Sequence, residues 1–497
     1  MTMPYLLALD QGTTSSRALL FNEDGTLAGV HQEALDVTYP EPGWVEQDAE
    51  AIFRTQAACI QRVLADNGVE ANAVAALGIA NQRETTIIWE RESGKPIGPA
   101  IVWQDRRTAT ACERLKAEGA EAKVKARTGL LLDPYFCATK IGWLLDEIPG
   151  ARKRAEAGEL AFGTVDAWLL WRLSEGRTHA TDISNASRTL LYDIHRQRWD
   201  EELLELFNVP TALLPEVREN TADFGAVTLE GDGFTVHGMG GDQQSALFAQ
   251  ACLDPGRAKV TYGTGAFVLV NTGQAKSAEG LLTTVAWRTD GDDPVYALEG
   301  SIFNAGAVVQ WLRDGLGLIE KSEDVEALAK GVDDSGGVWM VPALTGLGAP
   351  WWQPHARGAL LGLTRGTRPG HIARAALEAI AYRVCDVLGA VEQASGNPVK
   401  TVRADGGAAR NDLLLQLQAD FSGADIERPK QTETTAMGAA LFAGIGAGIL
   451  PPDAPTQWWQ RERGFKPRLE AAERQAGNAA WQKVCGQVAD FPEAPNS

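Results

Sequence analysis

The chain is poor in the features that mark membrane-spanning, secreted and nucleic-acid-binding proteins. Its most apolar small-residue stretch, 437–450, is about 14 residues long, well short of the roughly 20 that span a bilayer. No basic segment followed by an apolar segment and a cleavage site occurs early in the sequence, so no secretory signal is expected. Basic residues are outnumbered, 46 against 65 acidic ones, and the net charge of −19 argues against nucleic acid or an anionic membrane as a partner. We therefore expect a cytoplasmic protein without stable membrane insertion.

Cysteine is also scarce, and the common nucleotide-binding motifs are missing. The 6 cysteines are scattered, with no CxxC pair and no metal-like clustering, a pattern typical of free thiols in a reducing compartment. The sequence has no GxxxxGK[ST] loop, no GxGxxG turn after a strand, no GxSxG elbow and no HExxH helix. If the chain binds a nucleotide, another structure must hold the phosphates.

One pattern, by contrast, occurs twice. Segment 6–21 reads LLALDQGTTSSRALLF, and half a chain later segment 259–270 reads KVTYGTGAFVLV. Each predicts an apolar strand, a tight turn of Gly and Thr, and a second apolar strand. Glycine allows a positive φ in such a turn, and short Thr side chains leave backbone N–H groups open to an anion. The sequence thus predicts two phosphate-binding hairpins, one in each half, and favours phosphoryl transfer.

Length and the alternation of elements predict an α/β protein of two domains. At 497 residues the chain is too long for one core, and strand-like and helix-like segments alternate along it. We expect domains at 1–250 and 251–497, since the turn-forming residues Asp254-Pro255-Gly256 precede the second hairpin. The tail 491–497 is expected to fray. The expected strands are 26–30, 76–80 and 401–404, and the expected helices are 113–126, 140–146, 302–314, 371–388 and 411–421.

Two charged residues of the first hairpin are candidate ligands for a metal and for phosphate. Asp10 stands where the first strand meets the turn, and a carboxylate there can hold Mg²⁺, which bridges phosphate oxygens. Arg17, on the second strand, can reach the same phosphates with its planar guanidinium. The alternative is that Asp10 only caps a turn and Arg17 is a surface charge. The presence of a second hairpin favours the functional interpretation.

The Gly-rich run 238–244, GMGGDQQ, presents Asp242 after an apolar strand. A general base must approach its hydroxyl closely, and neighbouring glycines allow that. The alternative is an ordinary turn in which Asp242 caps the helix that follows, and this stretch alone does not decide between the two.

Polar and aromatic residues in the first half are candidates for a polyol site. Arg83 and Glu84 follow a predicted strand and can address two hydroxyl groups, although a surface ion pair is the commoner explanation of such a pair. Trp103 and Tyr135 can line a substrate, but most aromatic residues of this kind belong to a core.

Together these segments resemble the FGGY family of carbohydrate kinases across essentially the whole chain, and most closely its members that act on glycerol. The strings that carry the resemblance include LALDQGTTSSRALLF, NQRETT, WQDRR, DPYFCATKIGWLLD, GGDQQSALFAQ, TYGTGAFVLVNTG and ADGGAARNDLLLQLQAD. The resemblance implies an α/β fold of two duplicated actin-like ATPase (ribonuclease H-like) domains with a nucleotide cleft between them.

The resemblance also implies an activity: transfer of the γ-phosphate of ATP to glycerol, giving sn-glycerol 3-phosphate and ADP, the first step of glycerol catabolism. Asp242 would be the general base and Asp10 would serve Mg²⁺. Family members are often dimers or tetramers, so a homodimer or homotetramer is expected. The residues implied to hold glycerol are Arg83, Glu84, Trp103, Tyr135, Asp242, Gln243 and Phe267. Those implied to hold ATP are Thr13, Thr14, Ser15, Arg17, Thr264, Gly306, Gln310, Gly407, Ala408 and Asn411.

The chain departs from the family pattern in three places. Cys137 stands where members usually carry Ser or Thr, and Gln353 replaces a common acid; neither position is assigned to chemistry. Segment 224–241 has no Arg or Lys, whereas some bacterial members bind an inhibitory sugar bisphosphate there. We therefore expect fructose 1,6-bisphosphate to inhibit weakly or not at all.

Two other functions stay open at this point. One is an FGGY kinase that acts on a pentulose or another polyol. The other is a non-catalytic actin-like nucleotide switch, which would keep the hairpins but would not need Asp242 or the polyol set.

Overall fold

The computed structural model describes residues 4–489, so the expectation for the tail 491–497 lies outside the described residues. The chain forms two compact units. The first contains the chain up to Ala251 together with Thr283–Tyr296 and Glu433–Trp458; the second contains Cys252–Leu282, Ala297–Thr432 and the chain from Trp459. Because later segments return to the first unit, the compact units do not follow one cut, and the boundary at residue 250 stays a prediction.

The strands, in chain order, are β1 (Tyr5–Gln11), β2 (Ser15–Phe21), β3 (Leu27–Ala34), β4 (Glu46–Gln47), β5 (Val74–Asn81), β6 (Ile87–Glu90), β7 (Ala100–Ile101), β8 (Leu160–Gly163), β9 (Ala180–Asp182), β10 (Tyr192–Asp193), β11 (Arg198–Trp199), β12 (Glu216–Arg218), β13 (Gly225–Leu229), β14 (Asp232–Gly241), β15 (Arg257–Tyr262), β16 (Ala266–Gly273), β17 (Leu282–Trp287), β18 (Val295–Ile302), β19 (Trp339–Val341), β20 (Ala359–Leu361), β21 (Thr401–Asp405), β22 (Asp425–Pro429) and β23 (Arg461–Phe465).

The α-helices are α1 (Ala49–Asn67), α2 (Ala109–Ala117), α3 (Glu121–Thr128), α4 (Cys137–Glu147), α5 (Ala151–Glu156), α6 (Val165–Leu173), α7 (Ile183–Ala186), α8 (Glu201–Leu206), α9 (Asp242–Ala249), α10 (Gly306–Asp314), α11 (Asp324–Lys330), α12 (Pro369–Ser395), α13 (Asp412–Ser422), α14 (Thr434–Gly446), α15 (Ala454–Trp458) and α16 (Ala471–Ala489). Among the described residues, every helix is too short or too polar to cross a bilayer.

The main sheets of the two units repeat one plan. In the first, β1 is antiparallel to β2 and parallel to β5, and β5 is parallel to β14, which carries the antiparallel edge strand β13. In the second, β15 is antiparallel to β16 and parallel to β21, and β21 is parallel to β22, which carries the antiparallel strand β23. The prediction of a duplicated α/β fold is confirmed.

In the first unit, helix α14 lies flat against the sheet because glycine faces it. A Cβ atom on Gly78 of β5 would lie 2.0 Å from the carbonyl oxygen of Ala439, and one on Gly238 of β14 would lie 2.3 Å from the amide nitrogen of Ala443. Only a residue without a side chain permits these approaches. Residues 437–446 of the small-residue stretch 437–450 thus lie in a tightly packed helix, as the composition predicts, and residues 447–450 follow its end.

Most of the expected elements are present, with two corrections. The strands at 76–80 and 401–404 and the helices at 140–146, 371–388 and 411–421 are confirmed, each with somewhat different ends. The helix expected at 113–126 is wrong: it is divided into α2 and α3 because Gly119 adopts a φ of 82° between them. The helix expected from residue 302 begins at Gly306, because Ile302 completes strand β18.

Candidate active site

The first hairpin brings Asp10 and Arg17 together, as its register requires. The two residues lie opposite each other near the ends of the antiparallel strands β1 and β2, and they form an ion pair. Arg17 also pairs with Glu433, which directly precedes α14 in the same unit. The guanidinium therefore lies between two carboxylates, and Arg17 is not an isolated surface charge.

The surroundings of Asp10 disfavour its negative charge. Burial raises the pKa of the Asp10 carboxyl, Arg17 opposes this, and the charges of Asp242 and Glu433 raise the pKa further. The side chain is almost completely buried, with 4% exposed. A bound cation would relieve this repulsion, so the site favours positive charge beyond what Arg17 supplies.

The donor set suits Mg²⁺ held jointly with phosphate better than a metal cage made by protein alone. Residues 4–489 contain no group of three or more His, Cys, Asp or Glu side chains arranged to hold a metal ion. Mg²⁺ commonly keeps several waters and binds one or two carboxylates plus substrate phosphates. The buried carboxylate of Asp10 fits that mode.

The turn of the first hairpin is closed by its own backbone and anchored by amide side chains. The Gly12 N–H donates to the Ser15 carbonyl at 2.9 Å. The Thr13 hydroxyl accepts from Trp103 Nε1 at 3.0 Å and donates to Gln82 Oε1 at 3.2 Å. Thr13 therefore joins the predicted phosphate turn to the predicted polyol wall. Thr14, next along the turn, is exposed.

Arg83 is the centre of the predicted polyol cluster. It follows β5, only 2% of its side chain is exposed, and its Nε lies 3.1 Å from Asp242 Oδ1. Its other nitrogens donate to Gln244 Oε1 at 3.3 Å and to the Tyr135 hydroxyl at 3.4 Å. Gly241 makes the approach possible, since a Cβ atom there would lie 2.7 Å from Arg83 Cδ.

Asp242 is the first residue of α9, and Gly241 occupies the N-cap position. Its Oδ1 accepts from the Gln243 backbone N–H at 2.7 Å, and Gln243 Nε2 lies 3.3 Å from its Oδ2. The side chain remains 30% exposed, more than any other charged member of the cluster. A partly exposed carboxylate held by a buried arginine is able to accept a proton from a hydroxyl group.

Glu84 has an unusual backbone conformation and a fixed side chain. It is almost fully buried and adopts a φ of 61°, in the left-handed region that non-glycine residues seldom occupy. Its Oε1 accepts from Nε of Arg188, a fully buried residue, at 2.6 Å. Strained backbone of this kind clusters at ligand sites, where surrounding contacts maintain it.

The aromatic pair lies beside this cluster. The rings of Trp103 and Tyr135 meet edge to face, with centroids 5.6 Å apart, and both residues are half-buried. They form a wall rather than part of a closed core, since the indole N–H reaches Thr13 and the phenol hydroxyl reaches Arg83.

A buried polar network supports the strand ends that carry these residues. Asn81, the last residue of β5, donates to Asn185 Oδ1 at 3.1 Å, and Asn185 donates to Asp182 Oδ2 at 2.6 Å. Ser184 bonds Asp182 and accepts from the Gly241 N–H at 3.0 Å. Burial raises the pKa of Asp182. The network thus links Asn81, which precedes Gln82 and Arg83, to Gly241, which precedes Asp242.

The remaining candidates belong to the second unit, where they surround the second hairpin. Thr264 lies in its turn, and its carbonyl accepts from the amides of Ala305 at 2.9 Å and Ala307 at 3.0 Å. Phe267 lies on β16, while Gly306 and Gln310 lie on α10. A Cβ atom on Gly306 would be 2.5 Å from the Gly263 carbonyl oxygen.

The other nucleotide candidates lie in and after a short 3₁₀ turn, Gly407–Arg410. Asn411 caps α13, with its Oδ1 accepting from the Leu414 N–H at 2.9 Å. Gly406 brings the turn against the hairpin, since its φ is 87° and a Cβ there would lie 2.5 Å from the Tyr262 carbonyl oxygen. The second unit thus gathers Thr264, Gly306, Gly407 and Ala408 around one strand end.

Sequence reasoning missed the residues that support the site from outside it. Glu433 is distant in sequence, and its only signal is an acid four positions before the small-residue stretch 437–450. Arg188 and Lys140 lie inside strings typical of the family, but nothing in their spacing indicates that both contact Glu84.

Comparison with known proteins matches both halves of the chain. The profile described as the N-terminal domain of the FGGY family of carbohydrate kinases matches residues 5–249, and that of its C-terminal domain matches 258–447. A curated protein from Citrifermentans bemidjiense, named glycerol kinase, is 54% identical over 97% of this chain and 98% of its own length. Another, from Aromatoleum aromaticum, bears the same name and is 55% identical over 97% of this chain and 98% of its own length.

Solved structures give the same result. The crystal structure of Plasmodium falciparum glycerol kinase with ADP has a TM-score of 0.92 at 33% identity and covers 99% of both chains. The gluconate kinase of Lactobacillus acidophilus has a TM-score of 0.89 at 20% identity, covering 98% of this chain and 99% of its own, a likeness that shows the fold alone.

Proposed function

The chain belongs to the FGGY family of carbohydrate kinases, and we propose that it transfers the γ-phosphate of ATP to glycerol, giving sn-glycerol 3-phosphate and ADP. The observation that carries the proposal is the 3.1 Å contact between Arg83 Nε and Asp242 Oδ1, in a cluster that also holds Tyr135 and Glu84. Relatives named glycerol kinase, 53–55% identical over nearly the whole chain, support the choice of substrate.

Asp242 acts as the general base. Its carboxylate takes the proton of a primary hydroxyl as that oxygen attacks the γ-phosphorus, and the bond from phosphorus to the bridging oxygen of ADP breaks. Arg83 holds Asp242 in position through Oδ1, and Gln243 contacts Oδ2. Little covalent chemistry falls to the protein, so catalysis depends on alignment and on neutralising charge.

Polyol recognition depends on fixed polar partners, because glycerol offers little apolar surface. Arg83, Glu84, Tyr135 and Gln243 would bond its hydroxyl groups, while Trp103 and Phe267 would cover its carbon atoms. A site built to bond a hydroxyl rejects an analogue that lacks it by about 10⁴-fold or more, since its buried polar groups are left unpaired.

The phosphates and the metal would meet the two hairpins. Asp10 would hold Mg²⁺ directly or through water, and the ion would neutralise charge on the transferring phosphoryl group. Thr13, Thr14, Ser15 and Arg17 of the first hairpin and Thr264 of the second would contact phosphate. The nucleoside would lie against Gly306, Gln310, Gly407, Ala408 and Asn411.

A coupled assay of ADP release over glycerol, erythritol, xylulose, ribulose and gluconate tests reaction and substrate together. Glycerol should give the highest kcat/KM. Faster turnover of a pentulose or tetritol would show that glycerol is not the preferred substrate. If none of the compounds led to ADP release, the non-catalytic nucleotide switch would be the better interpretation.

The role of Asp242 is tested by Asp242→Asn, which should reduce kcat by about 10²- to 10⁴-fold while ATP binding is retained. Asp48→Asn is the matched control, because Asp48 also stands at a helix N-terminus with an exposed carboxylate. Near-normal turnover by Asp242→Asn would remove the residue from the base role.

We also propose a cytoplasmic homodimer or homotetramer that fructose 1,6-bisphosphate inhibits weakly or not at all. Segment 224–241 forms the hairpin of β13 and β14 and carries no Arg or Lys of its own, although Arg177 donates to Thr228 at 3.3 Å. Light scattering would give the oligomeric state. Strong inhibition by millimolar bisphosphate in the assay would contradict the second statement.

A further inference from the structure

Lys140 is a buried cation that the proposed reaction does not use. It lies on α4 and is 0% exposed. Its Nζ donates to the backbone carbonyl of Glu84 at 2.7 Å and to that of Tyr135 at 3.0 Å. Burying an ammonium group is costly, and the cost appears as a lowered pKa of Lys140 caused by desolvation. A lysine kept at such a position needs a reason beyond filling space.

The two carbonyls that Lys140 bonds belong to different segments of the chain. Glu84 lies in the turn after β5, and Tyr135 lies in the turn before α4. Each residue is a proposed polyol ligand through its side chain. A single ammonium therefore fixes the distance between two parts of the polyol cluster that no regular element connects.

Glu84 needs this support because its backbone is strained. Its φ of 61° places it in the left-handed region, which is unfavourable for a non-glycine residue. Besides the bond from Lys140, the Glu84 carbonyl accepts two weaker ones, from Thr86 Oγ1 at 3.1 Å and from Cys137 Sγ at 3.4 Å. Arg188 holds the carboxylate, so the residue is fixed at both ends: its backbone by Lys140 and its side chain by Arg188.

We propose that Lys140 is a positioning residue that holds Glu84 and Tyr135 in their polyol-binding geometry and thereby sets affinity and selectivity for the polyol. This rests on the proposed function only for the identity of the polyol. If the substrate panel identifies a different polyol or sugar, the test applies to that compound unchanged.

Lys140→Met tests the proposal, because methionine fills similar space without a donor or a charge. The KM for glycerol should rise by about 10- to 100-fold, the range for a small misplacement of binding groups, while the KM for ATP stays close to its original value. The preference for glycerol over 1,2-propanediol, which lacks one hydroxyl, should fall, because the fixed polar partners lose their alignment.

Arg383→Met is the matched control. Arg383 is also a buried cation on a helix, paired with Asp386 and bonded to the Ala349 carbonyl at 2.6 Å, but it belongs to the second unit. It should lower the unfolding temperature without changing the KM for glycerol or the selectivity. A loss of stability alone therefore does not produce the expected result.

Lys140→Arg covers the case in which Lys140→Met does not fold. It keeps the charge and the donors but cannot place them where the ammonium lies, so its KM for glycerol should still rise above the original value, again without a change in the KM for ATP. A folded variant of either kind with the original glycerol KM and selectivity would overturn the proposal. So would equal rises in both KM values.

Discussion

The two hairpins share one backbone plan and differ in where their chemistry resides. In the first, the register places Asp10 opposite Arg17, one pair before the last; in the second, the same place is taken by Thr261 and Phe267. The first hairpin has a buried carboxylate and a guanidinium at this position, whereas the second has a hydroxyl and an aromatic ring.

The turns also differ in how closely their glycines approach neighbouring backbone, and here the second hairpin is the more constrained one. A Cβ atom on Gly265 would lie 2.4 Å from the Ile302 carbonyl oxygen, whereas one on Gly12 would lie 3.2 Å from the nearest atom, the Ser15 carbonyl oxygen. The second turn is pressed against neighbouring backbone at Gly265, and the first is less tightly packed at Gly12. The two hairpins therefore share a backbone plan, but the first carries a charged pair, whereas the second requires a close backbone approach at Gly265.

Between the two hairpins, the largest expected difference comes from placing an asparagine at the matched positions 10 and 261. Asp10→Asn should lower kcat by about 10²- to 10³-fold, the range for losing one electrostatic stabiliser of a transition state. It removes the proposed Mg²⁺ ligand and one partner of Arg17. The measurement is steady-state turnover as a function of Mg²⁺ concentration, which should show a higher Mg²⁺ requirement.

Thr261→Asn is the control for that experiment, because it puts the same amide at the equivalent place in the second hairpin. Asn can still accept from Lys259, which bonds Thr261 Oγ1 at 2.8 Å. Turnover and the Mg²⁺ requirement should stay near their original values. If the two variants lose activity equally, the hairpins are not divided in the way proposed.

The next prediction concerns stability, and here the second hairpin should be the more sensitive of the two. Gly265→Ala should destabilise the second unit by about 1–3 kcal/mol, the usual cost of overpacking, because the carbonyl of Ile302 is backbone and cannot rotate away. Gly12→Ala should cost clearly less, since its neighbour needs to move only a few tenths of an ångström. Urea unfolding of both variants measures the difference, and equal midpoints would contradict it.

The parts that the sequence predicts and those it does not differ in how far apart the interacting residues lie. The hairpins, β5 and the tightly packed α14 follow from patterns within short segments, namely alternating apolar residues, Gly/Thr turns and small residues. Asp10 opposite Arg17 follows from the register of one hairpin. The sequence therefore predicts both the fold class and most of the side chains gathered in the first unit.

The contacts that complete the site could not be predicted in this way. Glu433 reaches Arg17 across 416 positions of the chain, and Arg188 reaches Glu84 across 104. The positive φ of Glu84 depends on the surrounding contacts, because a glutamate has no local preference for it. The interruption at Gly119 was missed because the pattern on both sides is helical and one glycine does not always end a helix.

The smallest expected effect comes from replacing Glu433, and it distinguishes this residue from Asp10, the other carboxylate paired with Arg17. Glu433 is one-third exposed, so its ion pair is worth little and its negative charge opposes an incoming phosphate. Glu433→Gln should therefore lower the KM for ATP by about 2- to 5-fold, the size of a partly exposed ion pair, and leave kcat nearly unchanged. The effect should shrink at high salt, which screens the charge of Glu433.

Asp10→Asn, measured beside Glu433→Gln, should change turnover instead. A rise in the KM for ATP on replacing Glu433 would show that this residue positions Arg17 for phosphate rather than competing for it.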